Sequence, residues 1–392
     1  MIFTEEQREI QALVHAFAEK EIRPLSRKYD ELGEFPMELY KKACRMQLNC
    51  LDLPEKYGGT GVSKVTSCLI REELSWGDAG FSLSLGANGL GFKPLLIAGS
   101  EAQRRHFADV LLNDGFTAFA ITEPDAGSDA GSMKTTARRV GDEYILNGHK
   151  CFITNGGLAD VYTVLASTDK SKGAKGLTMF IVDRDTPGLS VGKHENKMGI
   201  RLSNTADVIF HDVKVPAANI IGGEGKGFRI AMETLNQGRA GTCSSAVGLM
   251  RAAFEYAMKY AQERVTFGQP IYKNQAIQFM LADMATKIEV ARSFGLQVAE
   301  LLDSGDTRQA GKLSSMAKLY STDALQSVVS DAVQIHGGYG YMRDFPVEKL
   351  MRDAKVYQIF EGTNQIQRIV IFNSLLKENR IRNGREIGRA NV

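Results

Sequence analysis

The sequence is short of several things that protein chemistry commonly relies on. Its five cysteines (Cys44, Cys50, Cys68, Cys151, Cys243) are scattered and odd in number. That excludes a secreted disulfide framework and points to reduced thiols in a cytoplasmic or matrix-like compartment. The six histidines never fall at a metal-ligand spacing such as H-x-x-x-H, so no metal site is expected. Neither sign of charge is in excess: 48 Lys plus Arg against 46 Asp plus Glu leave a net +2. Such a balance offers no grip on a nucleic-acid backbone or an anionic membrane. No apolar run approaches the roughly 18 residues of a membrane span. The acidic start, Met1 to Glu6, has no signal-peptide core. Gly222 to Gly227 resembles a phosphate loop, but Ile220 stands where the first Gly belongs and Gly227 replaces the Mg²⁺-binding Ser or Thr. A flexible connector is expected there instead. Gly337-Gly338-Tyr339-Gly340 follows a helical pattern and misses G-x-G-x-x-G, and there is no G-x-S-x-G elbow. Hydrolase, metalloenzyme and Rossmann readings fall away, leaving a soluble intracellular protein.

What is present is a chain of 392 residues, 43% hydrophobic and 24% charged, long enough to bury a core without staples. Ile10, Leu13, Val14 and Phe17 recur at helical spacing behind a capping Thr4. Helices are also expected over 67–76 and 101–112. From Phe116 the pattern turns to short β-rich runs at 161–167, 177–182 and 207–215. Asn147-Gly148, between two such runs, predicts a hairpin turn. After Gly227 the chain is helical again, with Ile277, Met280, Leu281, Met284 and Ile288 on one face of a long helix. The architecture expected is multidomain α+β: a helical domain over 1–117, an antiparallel β-barrel or sandwich over 118–226, and a four-helix bundle over 227–392.

Five segments combine polar residues with glycine inside apolar surroundings. They run from Phe119 to Asp129, Phe152 to Gly157, Arg264 to Ile271, Gln334 to Tyr341 and Tyr357 to Arg368. Small residues and free backbone N–H groups let such segments approach a planar ring or a phosphate. Each also has a plainer reading, as a capped interdomain turn, an interhelical loop or, for Arg264 and Glu361, a surface charge.

Taken in order, these segments resemble the acyl-CoA dehydrogenase family, in particular its short- and medium-chain flavoproteins, over nearly the whole chain. The resemblance rests on Thr122-Glu123-Pro124 through Asp129, Phe152-Ile153-Thr154-Asn155, Arg264 with Phe267-Gly268, Gln334 with Gly337-Gly338, and Glu361-Gly362-Thr363. It implies bound FAD and α,β-dehydrogenation of an acyl-CoA thioester to the trans-2-enoyl-CoA. Glu361 would remove the α-proton and flavin N5 would take the β-hydride. It further implies an electron-transfer flavoprotein as acceptor and a homotetramer, with no nucleic acid and no membrane insertion. The same fold also serves enoyl-CoA reductases and O₂-reactive flavin oxidases, which stay open as alternatives.

Position by position, the resemblance assigns Ile121, Thr122, Ile153 and Thr154 to the flavin ring, with Phe152 stacked beside it. Arg264, Phe267, Gln275, Gln334, Gly337 and Gly338 would hold the FAD diphosphate and adenosine, partly across a subunit boundary, and Thr363 and Gln365 would close over it. Ser128, Asn236, Arg239 and Gly362 would meet the acyl-CoA, Arg239 through its nucleotide. Some members carry the base on the first bundle helix beside Arg239, but that neighbour here is Gly238. Asn236 stands where many members have Asp, and an amide brings no charge to that contact. Members acting on glutaryl-CoA carry Arg where this chain has Phe81. A buried substrate carboxylate without a cation is costly, so dicarboxyl thioesters are disfavoured. The stretch Leu83 to Phe92, with Gly86, Gly89 and Gly91, reads as the wall that admits the acyl group.

Overall fold

The computed structural model describes residues 3–382. Six helices come first: α1 (Glu5–Phe17), α2 (Arg23–Leu32), α3 (Met37–Arg45), α4 (Lys64–Gly77), α5 (Ala79–Ala98) and α6 (Glu101–Leu112). Side chains specify their starts. Thr4 with Gln7 and Ser100 with Gln103 form capping boxes, and Ser63 Oγ accepts from the Thr66 N–H, satisfying N–H groups that have no partner within a helix. The helix expected over 101–112 matches α6. Helix α4 is buried on nearly every side, and its centre is charged. Glu72 accepts from Arg251 (2.8 Å) and Arg292 (2.9 Å), tying α4 to the helices that follow the sheet.

The middle of the chain is one eight-stranded sheet: β1 (Thr117–Ala120), β2 (Thr136–Val140), β3 (Glu143–Thr154), β4 (Val161–Ser167), β5 (Leu177–Asp183), β6 (Leu189–His194), β7 (Thr205–Pro216) and β8 (Ile220–Ile221). Its order is β6-β7-β3-β2-β4-β5-β8, with β1 on β4. Two expectations need correction. The sheet is not wholly antiparallel, because β1 runs parallel to β4 and β2 meets β4 in parallel at Thr136–Ser167. Asn147-Gly148 is not a hairpin turn either. Strand β3 runs straight through it, with a bulge opposite β7 between Leu146 and Gly148. The hairpin lies earlier, at Gly141 (φ 62°) and Asp142. Gly148 is needed for close approach, since a Cβ there would fall 2.2 Å from Thr135 Oγ1.

The glycine-rich stretch after β8 is pinned rather than free. Gly225 N–H donates to Thr178 Oγ1 and Tyr144 Oη donates to Glu224. It leads into α7 (Gly227–Glu263), then a small hairpin of β9 (Val265–Thr266) and β10 (Gln269–Pro270). Helices α8 (Gln275–Asp303), α9 (Thr307–His336), α10 (Val347–Ala354) and α11 (Asn364–Arg382) follow. On α8, Leu281, Met284 and Ile288 are buried, as their spacing predicts. The five cysteines are free and buried. Among the described residues no helix is long and apolar enough to cross a membrane.

Helices α4 and α7 meet at Gly248, where an added Cβ would lie 2.0 Å from the Glu72 carbonyl oxygen. Backbone cannot yield as a flexible side chain does. Gly248→Ala should therefore cost at least about 1–3 kcal/mol, read as a lower midpoint in chemical denaturation.

Candidate active site

Two groups of residues stand out. The first has two parts, one where β3 passes the end of β1 and one where the turn before α11 meets α7. Strand β3 breaks register with β7 between Lys150 and Ile153, and Phe152 (φ 58°) and Asn155 (φ 61°) adopt left-handed backbone. Such bulges re-aim side chains; here the Phe152 ring is left 62% exposed while Ile153 points into the core. The Cys151 N–H donates to Thr122 O (2.9 Å), which sets Thr122 beside Phe152. Beneath them Lys150 is fully buried, donating to Ile121 O (3.1 Å) and Glu123 Oε1 (2.7 Å). Glu123 also accepts from the N–H groups of Lys134 and Thr135. Burial pushes Lys150 down to about 8, with Glu123 opposing.

Glu361 (φ 52°) and Gly362 (φ 88°) form a left-handed turn, a conformation that costs a non-glycine residue about 1–3 kcal/mol. The turn is clamped. Gln367 Nε2 donates to Gly362 O (3.0 Å), and Lys318 Nζ donates to Gly362 O (2.9 Å) and Asn364 Oδ1 (2.8 Å). The carboxylate accepts from Thr242 Oγ1 at 2.8 Å. A Cβ built on Gly238 would sit 3.3 Å from Glu361 Oε2 and 3.7 Å from Leu90 Cδ1. A side chain at 238 would thus enter the space the Glu361 head occupies. The apolar setting is one-sided, because Phe360 packs on Tyr357 while Ile359 is half exposed.

Arg239 is buried beneath this carboxylate, its Nη1 donating to Asn236 Oδ1 (2.6 Å) and Ser315 Oγ (2.8 Å). That corrects the expectation of a contact with the CoA nucleotide, since a guanidinium enclosed by α7 and α9 cannot reach a solvent-side phosphate. Asn236 correspondingly serves Arg239. Burial lowers the Arg239 pKa while Glu361 raises it, and burial takes Lys318 down to about 8 against the same carboxylate. Phe81, which stands where glutaryl-CoA members carry Arg, turns inward. It is wholly buried and stacked on Phe35, in the helical core. Gly86 and Gly89 do not open a wall, because Cβ atoms there would meet Arg71 and Asp52.

The second group is exposed. Arg264 precedes the β9–β10 hairpin, whose turn is Phe267 (φ 49°) and Gly268 (φ 78°). The Phe267 ring is entirely exposed. Gln275 opens α8, Gln334 lies in the last turn of α9, and Gly337-Gly338 follows it. The Arg264 guanidinium lies 5.7 Å over the Tyr339 ring, which joins the hairpin to the end of α9. Cβ atoms on Gly268, Gly337 and Gly338 would meet nothing within 4 Å. Bare backbone beside a guanidinium, facing open space, suits a diphosphate. Phe152 with Thr122 and Thr154 likewise suits a planar ring, so the residues present fit a flavin dinucleotide. Thr363 Oγ1 caps α11 at the Ile366 N–H (3.2 Å), while Gln365 and Ser128 are exposed.

Sequence reasoning missed Thr242, Lys318, Gln367 and Lys150. Only Lys318 carried a signal, as a lone cation among Ser314, Ser315, Ala317, Ser321 and Thr322.

Three family models match in order: the acyl-CoA dehydrogenase N-terminal domain over residues 4–114, the middle domain over 118–213 and the C-terminal domain over 225–376. An acyl-CoA dehydrogenase of Bacillus subtilis is 46% identical over 378 residues, 96% of this chain and 99% of that one. The 3-(aryl)acrylate reductase of Clostridium sporogenes is 44% identical, over 96% of this chain and all of its own. The butyryl-CoA dehydrogenase structure from Megasphaera elsdenii superposes with a TM-score of 0.93 at 42% identity, covering 96% of this chain and 99% of that one. The chain belongs to the acyl-CoA dehydrogenase family, an oxidoreductase with FAD as its cofactor.

Proposed function

We propose that the protein converts an acyl-CoA thioester to its trans-2-enoyl-CoA, with Glu361 as the base, and passes electrons to an electron-transfer flavoprotein. One observation carries this reading. The Glu361 carboxylate is held by a clamped left-handed turn against a helix that lacks a side chain at Gly238. A free thioester α-proton is far too weakly acidic for a carboxylate of ordinary pKa, about 4.3. An apolar acyl chain beside Leu90 would desolvate Glu361 and strengthen it as a base. Hydrogen bonds to the thioester oxygen stabilise the enolate that develops. Thr242 fixes the direction of the carboxylate, and Arg239 with Lys318 offsets its charge before substrate arrives. Thr122, Phe152 and Thr154 would hold the ring of FAD, and Arg264, Phe267, Gln275, Gln334, Gly337 and Gly338 its diphosphate and adenosine. When bound, FAD supplies the acceptor for the hydride equivalent leaving Cβ.

The test is anaerobic mixing of the purified flavoprotein with a panel of acyl-CoAs and the matching free acids. Thioesters should bleach the flavin and acids should not. Slow recovery in air and fast recovery with an electron-transfer flavoprotein mark a dehydrogenase. Fast recovery in air would contradict the reading and favour an oxidase. The 44% identity to a protein named an acrylate reductase favours a second reading on the same residues, reduction of an enoyl thioester with Glu361 returning the α-proton.

We infer a homotetramer, or at least a dimer; the exposed FAD-binding group, where Phe267 and Tyr341 are 101% and 82% exposed, supports it. Light scattering should show an oligomer, and a monomer with full flavin occupancy would contradict this. Arg264→Ala should weaken FAD retention without unfolding the chain. Each charge-assisted bond to a diphosphate contributes about 1.5–3 kcal/mol, so flavin loss on dilution should rise at least tenfold. Unchanged retention would make Arg264 a surface charge.

A further inference from the structure

Helices α5 and α7 face each other at the Glu361 carboxylate, where Leu90 and Gly238 come together. One helical turn further on lie Gly86, four residues before Leu90, and Gly241, three residues after Gly238, on the same helix faces. Both glycines abut a single side chain, Arg71 of α4. A Cβ on Gly86 would fall 2.4 Å from Arg71 Nη1, and one on Gly241 would fall 3.0 Å from its Cδ. At a rise of 1.5 Å per residue, the guanidinium closes the gap between the two helices about 5 Å beyond the base.

Arg71 is only partly engaged. Its Nη2 donates to Asp52 Oδ2 (2.8 Å) and its Nε to Ser67 Oγ (3.4 Å), while Nη1 has no hydrogen-bond partner among the described residues. Asp52 is already taken by Lys64 Nζ (2.7 Å) and lies 3.7 Å from Lys93 Nζ. The side chains of Arg71, Asp52 and Lys93 are 15%, 5% and 5% exposed. Burial takes Lys93 down to about 8 against the opposing pull of Asp52. Lys64 is 30% exposed, so water answers part of its charge, and Glu361 also acts on Lys93. Arg71 shares Asp52 with both lysines and keeps Nη1 unengaged. A guanidinium paired through one nitrogen can still donate a charge-assisted hydrogen bond to a second anion through the other.

We propose that the acyl group ends in a carboxylate, that Arg71 receives it, and that the substrate is the monothioester of a dicarboxylic acid of about four to six carbons. This rests on Glu361 acting as the base, since that fixes which end of the pocket holds the thioester. The cation that position 81 does not supply comes instead from α4. Glycine at 86 and 241 is what admits it, because a side chain at either position would displace the guanidinium. Arg71 Nη1 donates to the distal carboxylate while Nη2 stays on Asp52, and the reacting carbons lie between Leu90 and Gly238.

The experiment compares succinyl-, glutaryl- and adipyl-CoA with butyryl-, pentanoyl- and hexanoyl-CoA on the FAD-loaded protein. Flavin reduction is followed anaerobically and affinity is measured by calorimetry. Glutaryl- or adipyl-CoA should bind and react at least tenfold better, as kcat/KM, than the matching unsubstituted thioester. Arg71→Met should cut that kcat/KM about a hundredfold and improve or spare the unsubstituted series, with Arg71→Lys intermediate. If Arg71→Met does not fold, the preference of the parent protein decides alone. Reduction by the unsubstituted thioesters with no preference for the carboxylated ones would overturn the role of Arg71 and leave Glu361 standing. Reduction by neither series would overturn both.

Discussion

Glu361→Gln should give a yellow protein that binds acyl-CoA and no longer bleaches with it. The substitution keeps volume and a hydrogen-bonding head, so the contact with Thr242 Oγ1 and the turn clamped by Gln367 and Lys318 should survive. What it removes is the carboxylate the fold sets against Gly238. General-base catalysis contributes about 10²–10⁴-fold. Proton removal is obligatory here, so flavin reduction in stopped flow should slow by at least that much. FAD occupancy should be unchanged, because Phe152 and Thr154 lie on β3, Thr122 just beyond β1 and Arg264 just before the β9–β10 hairpin. Reduction within tenfold of the parent rate would place the base elsewhere.

Lys150→Met should be the most destabilising single change near the site. Lys150 and Glu123 have side chains 0% and 4% exposed and meet at 2.7 Å. Breaking a buried pair from one side leaves the other charge unanswered, at a cost of about 3–5 kcal/mol. Glu123 would keep its N–H donors from Lys134 and Thr135, which sets the loss toward the lower end. The same change frees the Ile121 carbonyl and loosens Thr122 beside the flavin ring. Urea unfolding followed by circular dichroism, with FAD release read in parallel, should show both effects. Replacing Glu123 by Gln in the same chain should recover part of the stability, since no charge then remains buried. A loss under 1 kcal/mol would mean that water reaches the pair.

The parts of the fold that local chemistry decides were legible in the residues. Caps such as Thr4 and Ser100, and the apolar face of Leu281, Met284 and Ile288, mark their helices without help from the rest of the chain. Asn147-Gly148 misled because a hairpin signal is a local preference, and β3 spends its glycine on a close approach to Thr135 instead. The parallel pairing of β1 with β4 joins residues about forty positions apart, beyond any periodicity. At the site, Glu361 was visible through its motif and its surroundings were not. Thr242 and Lys318 reach it from helices 119 and about forty residues away in sequence. Arg71 belongs to no motif, and the glycines facing it on α5 and α7 show what space it fills. Arg239 was misread because sequence does not reveal burial, and burial decides what a guanidinium can touch.

The central claim, that Glu361 moves the α-proton, can be measured apart from flavin reduction. The protein is incubated in D₂O with an acyl-CoA at equilibrium, and deuterium entering the α-carbon is followed by mass spectrometry. The parent should exchange the α-position with solvent, and Glu361→Gln should exchange it at least a hundredfold more slowly, with binding of the thioester unchanged. Exchange in Glu361→Gln at the parent rate would contradict the account.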